Sequence, residues 1–471
     1  MEPLPSKEPI ETPSPVSRYL DGRPAPLPAP GDSLLAHARA IVELVFGPVA
    51  VRTFDVRYWD GSVEQSGARS APFRLGINRP GALRRMLLPP SELSIVEAYL
   101  CGDIDADGEL EAAMNLADDI GARVRSPRVM MKLLGHLLAL PRRDAVVDLS
   151  VARSDAVVEP VGKPHEPTRD RAAIRFHYDV GNDFYALWLD ERMVYSCAYY
   201  HDSTDTLEEA QRAKLDLICR KLRLRPGHRF LDVGCGWGAL IMHAAQHYGV
   251  TALGITLSDA QAALARERIA AAGLEDRCRV EIRDYRALPP GLQFDRIASV
   301  GMIEHVGASH LDAYFQALYR ALAPSGLLLN HGIVSVKEAR PRGSFAWVSD
   351  RVWQRNAFIH RYVFPYGKLT AYRLVVAAAE AAGFETRDVE SLREHYALTL
   401  RAWVGRLTRA HERAVELTNE RIVRIWRLYM TASAYGFAHG RINVLQTLLA
   451  KQDTHGRVDL PMTREDLLAT D

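Results

Sequence analysis

The stretch that decides the fold class is FLDVGCGWG, residues 230–238, where an apolar run ends at Asp232 and glycines follow at Gly234, Gly236 and Gly238. Glycine lets a chain turn tightly and lets a ligand lie against bare backbone, and a helix that begins beyond such a turn adds a partial positive field. The stretch therefore predicts a buried strand, a turn and a helix that together hold a nucleotide-like ligand. A tight turn without a ligand is the alternative interpretation of the same residues.

The spacing of the glycines and the end of the next strand distinguish this turn from a dinucleotide site. The third glycine comes one residue earlier than in the usual dinucleotide fingerprint. The next strand, residues 253–256, ends at Thr256, with Gln261 in the following helix, and lacks the acid that would hold a nicotinamide ribose. Asp284 and Tyr285 close the third strand, where an adenine commonly rests. The pattern resembles the class I methyltransferases, and nicotinamide chemistry is the weaker interpretation.

Apolar strands and helices alternate along the second half of the chain. The predicted strands are residues 230–233, 251–256, 279–282, 294–300 and 327–333. Such alternation predicts an α/β fold with a doubly wound parallel sheet, here a Rossmann-like domain with added helices. Beyond residue 333 the sequence predicts polar and aromatic segments and then long helices to about Lys451.

The rest of the chain divides by composition into segments of different character. A helix from about Ser33 is followed by short alternating runs and then by a helical stretch, which predicts a smaller α+β domain ahead of the sheet. We therefore expect a flexible Pro-rich leader at 1–31, an N-terminal lipid- or membrane-associating domain at 32–140, a linker at 141–168, the catalytic domain at 169–451 and a loose tail at 452–471.

Composition narrows the classes of partner and the compartment. The chain has 59 Lys and Arg against 58 Asp and Glu, so no overall positive field draws it onto nucleic acid. Its five cysteines are scattered without paired spacing, which favours reduced thiols and no metal site. No stretch reaches the roughly 20 apolar residues of a membrane span. We expect a cytoplasmic protein without a nucleic-acid partner.

Five further motifs carry a closer resemblance. In chain order they are FHYDVGNDFY at 176–185, YSCAY at 195–199, GMIEHVG at 301–307, NHGI at 330–333 and EHYALTL at 394–400. At these residues the chain resembles the cyclopropane fatty acid synthases, a family that includes the mycolic acid cyclopropane synthases. The resemblance extends from about Ala172 to Leu449. The first domain, including AYLCGD at 98–103, resembles the smaller N-terminal domain of the phospholipid-acting bacterial members.

This resemblance implies a role for each matched residue. It implies that S-adenosylmethionine (SAM) is bound by Tyr178, Tyr195, Ser196, Asp232, Gly234, Gly236, Gly238, Thr256, Gln261, Asp284 and Tyr285. Within that set, Thr256 and Gln261 would contact the ribose and Tyr285 the adenine. It also implies a bicarbonate ion held by the side chains of Glu304, His331 and Tyr396 and by the backbone of Cys197 and Ile333.

The implied reaction explains why such a site is needed. An isolated alkene is a weak nucleophile, and methylation leaves a carbocation that closes to a cyclopropane only if the new methyl loses a proton. We therefore expect a methylene unit to be added to the cis double bond of unsaturated acyl chains in membrane phospholipids, with bicarbonate assisting deprotonation. Loss of the proton elsewhere, giving a methylene- or methyl-branched chain, and a catalytically silent lipid-binding protein are the alternatives.

Several of these residues also have purely structural interpretations. Glu304 is placed to cap a helix beginning near Gly307, and a histidine at a strand end such as His331 is more often a satisfied core residue. Cys197 lacks a neighbouring base in sequence, so a small buried thiol is favoured over a nucleophile.

A basic segment in the first domain predicts how the enzyme reaches its substrate. Residues 121–143 contain six Arg and Lys and no acid, and Pro127 is suited to begin a helix. Five apolar residues recur at helical spacing on one face: Met130, Leu133, Leu134, Leu137 and Leu138. This pattern predicts transient binding to the inner face of an anionic membrane, with a core helix as the alternative. The bacterial relatives also suggest a homodimer.

Overall fold

The structure, a computed structural model, describes residues 32–123, 126–142, 180–336, 357–364 and 369–468. The chain forms two compact units, with the main division after Ala152. The predicted leader, nearly all of the linker and Tyr178 lie outside the described residues, so the predicted domain boundaries stay predictions. Within the described residues no helix is both long and apolar enough to span a membrane.

The first unit is a small sheet with helices packed on it. Its helices are α1 (Asp32–Phe46), α2 (Ala82–Leu87), α3 (Glu92–Leu100), α4 (Leu110–Arg123) and α5 (Pro127–Ala139). Its strands are β1 (Asp55–Arg57), β2 (Val63–Glu64), β3 (Phe73–Ile77) and β4 (Ile104–Gly108), in the order β2-β1-β3-β4. The predicted α+β character is confirmed, with β1 and β3 parallel and the other pairs antiparallel.

Strand β4 lies where the sequence predicted continuous helix, and that prediction is wrong. Its residues IDADG contain two acids that disfavour a strand by propensity. The strand forms because it pairs along its whole length with β3, from Ile77 opposite Ile104 to Phe73 opposite Gly108. Just before it, the buried Asp103 accepts a hydrogen bond from Arg85 Nε at 2.8 Å, which satisfies the carboxylate. Tertiary pairing therefore outweighs local propensity.

The second unit is built around the predicted sheet. Its strands are β5 (Arg229–Val233), β6 (Thr251–Thr256), β7 (Cys278–Ile282), β8 (Phe294–Val300), β9 (Leu322–Ser335), β10 (Thr370–Ala371), β11 (Glu385–Ser391) and β12 (Ile442–Ala450). The main path of the sheet is β7-β6-β5-β8-β9-β12-β11, and β10 pairs with β9. Strands β5 to β9 are parallel, as predicted.

The far edge of the sheet corrects the prediction of an all-parallel sheet followed only by helices. Strand β12 lies antiparallel between β9 and β11. Its sequence INVLQTLLA is apolar enough for either a helix or a strand, and its central place in the sheet decides the outcome. The sheet is therefore mixed, with five parallel strands and an antiparallel edge.

The helices of the second unit cover both faces of its sheet. They are α6 (Asn182–Ala186), α7 (Leu207–Lys221), α8 (Ala239–Tyr248), α9 (Asp259–Ala271), α10 (Ile303–Val306), α11 (Leu311–Ala321), α12 (Ala357–Tyr362), α13 (Tyr372–Ala381), α14 (Arg393–Arg409), α15 (His411–Leu417), α16 (Glu420–Ala438) and α17 (Glu465–Leu468). Phe230 packs with Ile241 of α8 on one face, while its neighbour Leu231 packs with Leu318 of α11 on the other. Two cores therefore clamp the sheet and fix where its strands end.

The predicted loose tail is anchored over its described part. Asp459 pairs with the buried Arg296 on β8, and Asp466 of α17 accepts a hydrogen bond from Arg223 Nε at 2.8 Å. The acidic residues of the tail thus offset cations of the catalytic unit that are otherwise buried. Residues 452–468 belong to the folded unit.

Candidate active site

The glycine turn has the geometry that its sequence predicts. Gly234, Gly236 and Gly238 have φ angles of +84°, +53° and +83°, which side chains disfavour. Gly238 directly precedes α8 and caps its N-terminus. A Cβ at Gly234 would lie 2.6 Å from Met302 Sδ, so the bare backbone here also lets the end of β8 approach the turn.

A cavity opens at the carboxyl ends of the parallel strands and is bounded by this turn. Its lining includes most of the residues predicted to bind the cofactor: Tyr195, Ser196, Asp232, Gly234, Gly236, Thr256, Gln261, Asp284 and Tyr285. Gly238 lies behind the lining. Ligands of open α/β sheets bind at this edge, so the structure gathers the predicted cofactor residues where a nucleotide is expected.

The ends of β6 and β7 supply polar groups that are held in place. Thr256 Oγ1 donates to Gln261 Oε1 at 2.9 Å, and both residues are buried. Asp284 accepts from the backbone N–H of Arg286 and also pairs with its guanidinium. Tyr285 meets the ring of Tyr314 edge to face at 5.1 Å. The expected ribose and adenine contacts are therefore pre-organised.

Asp232 and Lys214 form a buried charged pair in the wall of the cavity. Asp232 Oδ1 is buried and has no partner among the described residues. Burial raises the pKa of Asp232 to about 7, and the nearby Lys214 opposes that rise. Lys214 is itself fully buried, which lowers its pKa to about 8, and its Nζ donates to Ser196 Oγ at 2.9 Å.

Lys214 was missed by the sequence analysis, although a signal for it exists. Gln211 and Lys214 stand three residues apart on α7, in phase with the buried Ala210, Leu217 and Ile218. Polar residues on the apolar face of a helix are rarely accidental, because an unpaired buried polar group is costly. Gln211 Nε2 donates to the carbonyl of Ser196 at 2.9 Å, so both side chains hold the segment that carries Ser196.

Glu304 and Ile333 are joined directly. Glu304 lies on the short helix α10, and its Oε1 accepts the backbone N–H of Ile333 on β9 at 2.7 Å. Its other oxygen, Oε2, is buried without a partner among the described residues, and burial raises the pKa of Glu304 to about 7. Glu304 therefore does not cap the helix after Gly307, and the Ile333 N–H is already engaged.

Gly332 allows that close approach. A Cβ at this position would lie 2.3 and 2.4 Å from two carbons of Ile303. Only a residue without a side chain lets α10 pack against β9 at the point where Glu304 reaches Ile333. The NHGI motif thus contributes through its glycine as well as through its histidine.

His331 lies one residue before Gly332, and its carbonyl accepts the N–H of Gly301 at 2.8 Å. Its Nδ1 lies 3.2 Å from Gln446 Nε2, and its Nε2 is buried without a partner among the described residues. Burial and the charges of Lys214 and Lys221 lower the pKa of His331 to about 3. The interpretation of a fully satisfied core histidine is wrong at Nε2.

Cys197 and Tyr396 meet at one backbone carbonyl, that of Leu392. The Cys197 thiol donates to it at 3.6 Å, and the Tyr396 N–H donates to it at 3.0 Å. Leu392 N in turn donates to Val444 O, and Val444 pairs with Ile333 in the sheet. Burial raises the pKa of Cys197 far above its ordinary range, so its thiol is not a ready nucleophile.

The sheet order, the glycine turn and the cavity together define a Rossmann-like class I methyltransferase fold. Residues 165–447 match the family model described as mycolic acid cyclopropane synthetase, and residues 42–119 match one described as a domain of unknown function (DUF7884). The chain belongs to the mycolic acid cyclopropane synthetase family, which confirms the resemblance predicted from sequence.

Relatives match the chain over different lengths. A probable fatty acid methyltransferase of Pseudomonas putida is 38% identical, over 88% of this chain and 95% of its own. The cyclopropane-fatty-acyl-phospholipid synthase of Escherichia coli is 38% identical, over 59% of this chain and 68% of its own.

Solved structures match the catalytic unit. The mycolic acid cyclopropane synthase CmaA1, complexed with SAH and CTAB, has a TM-score of 0.56 and 37% identity, covering 62% of this chain and 99% of that one. The cyclopropane synthase MmaA2 from Mycobacterium tuberculosis has a TM-score of 0.55 and 32% identity, covering 63% and 100%.

Proposed function

We propose that this protein transfers a methylene unit from SAM to the cis double bond of unsaturated acyl chains in membrane phospholipids and closes a cyclopropane ring. One observation carries the proposal. Two buried polar atoms without partners, Glu304 Oε2 and His331 Nε2, stand at the ends of β8 and β9, and Gly301, Met302 and His305 of the same segment line the cavity. Buried polar atoms are normally satisfied, so this pair marks a place for a small polar ligand.

Bicarbonate fits these two atoms. It offers oxygens that accept a hydrogen bond from an imidazole N–H and a hydroxyl that donates to a carboxylate. When bound, it would supply the acceptor for the proton that the new methyl group loses. Glu304 and His331 would hold it by their free atoms, and Tyr396 and the backbone at Cys197 and Ile333 complete the proposed set.

The cavity wall suits the other reactant. Thr256, Gln261 and Tyr285 are placed to bind the ribose and adenine of SAM, which would supply an electrophilic methyl group. The Asp232 carboxylate at the base of the glycine turn favours a cation in the cavity. Fixing donor and acceptor in line supplies much of the rate of such a transfer.

An aromatic cluster beside the cavity gives it an apolar side. Tyr195 lines the cavity, and its ring lies 5.3 Å from that of Trp403 and 5.5 Å from that of Trp188. Ring faces attract cations and exclude water. This environment supports an acyl chain and a short-lived carbocation next to the methyl donor.

A fatty acyl C-methyltransferase that leaves a methylene- or methyl-branched chain is the second candidate. It is favoured by the names of two relatives that match most of the chain, the P. putida protein and a probable fatty acid methyltransferase of M. tuberculosis, 34% identical over 86% of this chain. The two candidates differ in which carbon loses the proton. A base held beside the methyl group favours ring closure.

The experiment incubates the full chain with isotopically labelled SAM and vesicles of monounsaturated phospholipid. Proton NMR of the extracted lipid distinguishes ring methylene signals from those of a methylene or methyl branch, which mass alone does not. Ring signals support cyclopropanation, and branch signals alone support the second candidate. Consumption of no SAM with any lipid would overturn both.

A variant locates the chemistry. Glu304→Gln removes the carboxylate but keeps the shape and the bond to Ile333, so SAM binding is expected to persist while turnover falls by at least roughly a hundredfold. Calorimetric titration with SAM and the product assay measure the two effects. Equal loss of SAM affinity and turnover would contradict the assignment.

The proposal also includes an anionic membrane as the docking partner of α5. The predicted apolar stripe is split in the structure: Leu133 and Leu137 are buried, whereas Met130, Leu134 and Leu138 are exposed. Both sequence interpretations of this helix are thus partly met. Met131, 67% exposed, extends the outer face, and Arg128 and Lys132 flank it as exposed cations. Apolar side chains beside cations suit an anionic bilayer surface.

A further inference from the structure

A row of polar side chains crosses three strands behind the proposed anion site. Glu390 on β11 pairs in register with Gln446 on β12, and Gln446 pairs in register with His331 on β9. Residues directly opposite one another in antiparallel strands project to the same face of the sheet. Lys221, the last residue of α7, reaches this row, and its side chain is only 3% exposed.

Lys221 decides which way the Gln446 amide points. Its Nζ lies 2.8 Å from Gln446 Oε1 and forms an ion pair with Glu390. An ammonium group donates hydrogen bonds and cannot accept them, so the atom facing it must be the amide oxygen. The amide nitrogen of Gln446 therefore points the other way, toward His331.

The oriented amide in turn decides where His331 carries its proton. Gln446 Nε2 lies 3.2 Å from His331 Nδ1. An amide nitrogen only donates, so Nδ1 must accept and the proton of the neutral ring must lie on Nε2. Gln446 is 1% exposed and His331 2% exposed, so water does not compete for these bonds.

We infer that Lys221 and Gln446 are positioning residues that hold His331 as the Nε2–H tautomer, so that it donates a hydrogen bond to the small anion and does not act as a base. The second half of this inference rests on the proposed function. With Nε2 already protonated, the ring has no lone pair facing the site. Removal of the methyl proton therefore falls to the bound anion, and His331 serves to hold and orient it.

The decisive variant is Gln446→Glu, which replaces the amide donor by a carboxylate. A carboxylate only accepts, so it favours a proton on Nδ1 and leaves Nε2 as an acceptor that repels an anion. Lys221→Met removes the group that orients the amide, and Gln446→Leu removes the bond to Nδ1. Asn443→Ala, on the same strand but outside the row, is the matched control.

The first measurement is the nitrogen NMR spectrum of the full chain labelled at histidine, with His331→Gln used to assign the His331 signals. We expect a protonated Nε2 and an unprotonated Nδ1 in the wild type and in Asn443→Ala, and the reverse pattern in Gln446→Glu. A wild type protonated at Nδ1 would overturn the inference. This spectrum needs no turnover, so it is independent of the proposed function.

The second measurement is the dependence of turnover on bicarbonate concentration in carbonate-depleted buffer. Loss of a donor to a charged acceptor is expected to raise the apparent KM for bicarbonate in Gln446→Glu on the order of ten- to a hundredfold, with the KM for SAM unchanged. A reversed tautomer with an unchanged bicarbonate dependence would overturn the donor role. A wild type that modifies no lipid would overturn the proposed function while leaving the tautomer assignment intact.

Discussion

At the scale of single residues, the site depends on atoms that the fold buries and leaves without protein partners. Glu304 spends one oxygen on Ile333 and keeps the other free, and His331 keeps Nε2 free in the same way. Each free atom costs folding energy in the absence of a ligand. Such a cost is expected where binding of the missing partner is the function.

The raised pKa of Glu304 predicts a pH-dependent stability in the absence of ligands. The folded-state pKa of about 7 lies above the ordinary value of 4.5, so the stability present below pH 4.5 is lost as pH rises through 7. Relative to Glu304→Gln, the free energy of unfolding of the wild type should fall by up to roughly 3 kcal/mol between pH 4.5 and 8. Urea unfolding of both proteins at several pH values measures this difference, and a constant difference would refute the buried carboxylate.

Gly332 offers a second test at this scale. Gly332→Ala places a methyl group against Ile303, and such overpacking costs about 1–3 kcal/mol and displaces the helix that carries Glu304. Turnover should fall with it, and a second change, Ile303→Ala, should recover part of that loss. Gly405→Ala, where the nearest atom is the end of a flexible arginine, is the control for stability. Unaltered turnover in Gly332→Ala would mean that the close approach is not needed.

At the scale of elements, α5 shows how one helix serves two roles. Leu133 and Leu137 hold it in the first unit, and Arg84 Nη1 donates to the carbonyl of Leu140 beyond its C-terminus at 2.6 Å. The opposite face stays apolar and exposed. A helix used only for packing would present polar residues there.

The outer face of α5 should be required for vesicle binding. Met131→Glu combined with Leu134→Glu adds two negative charges to exposed positions, so folding should persist while affinity for vesicles containing phosphatidylglycerol falls at least about tenfold. Met462→Glu, at an exposed methionine of the tail, should change nothing. Co-sedimentation at low and high salt measures binding, and equal wild-type binding to neutral vesicles at every salt concentration would eliminate the electrostatic contribution.

At the scale of the whole molecule, a net charge of +1 leaves attraction to any surface to local patches. The sheet carries the catalytic groups at the ends of its strands, while the tail returns to brace β8. The homodimer suggested by the family resemblance is untested by these contacts and stays a prediction.

The tail should contribute measurably to the stability of the catalytic unit. Asp459→Asn leaves the guanidinium of Arg296, 4% exposed, without its carboxylate partner. Because Asp459 is partly solvated, we expect a loss of about 1–3 kcal/mol in urea unfolding, less than for a fully buried pair. Glu385→Gln, in the more exposed pair with Arg387, should cost less than about 1 kcal/mol. Similar effects of both changes would show that the tail is only loosely attached.

The sequence by itself determined the parallel strands, the glycine turn and the residues at the strand ends, because each is specified by neighbours in the chain. A strand that ends at Asp232 before a glycine turn must present that turn at the edge of the sheet. The antiparallel edge was not predictable in the same way, because the residues of β12 suit a helix as well as a strand.

Only the tertiary structure decided the hydrogen bonds that assign roles within the site. His331 and Gln446 are 115 residues apart, and Lys221 and Gln446 are 225 apart. Their contacts depend on strand register and on where α7 ends against the sheet, and no local pattern specifies either. The physical reason is that burial removes water as a partner, so the direction of each hydrogen bond is set by whichever distant residue the fold brings near.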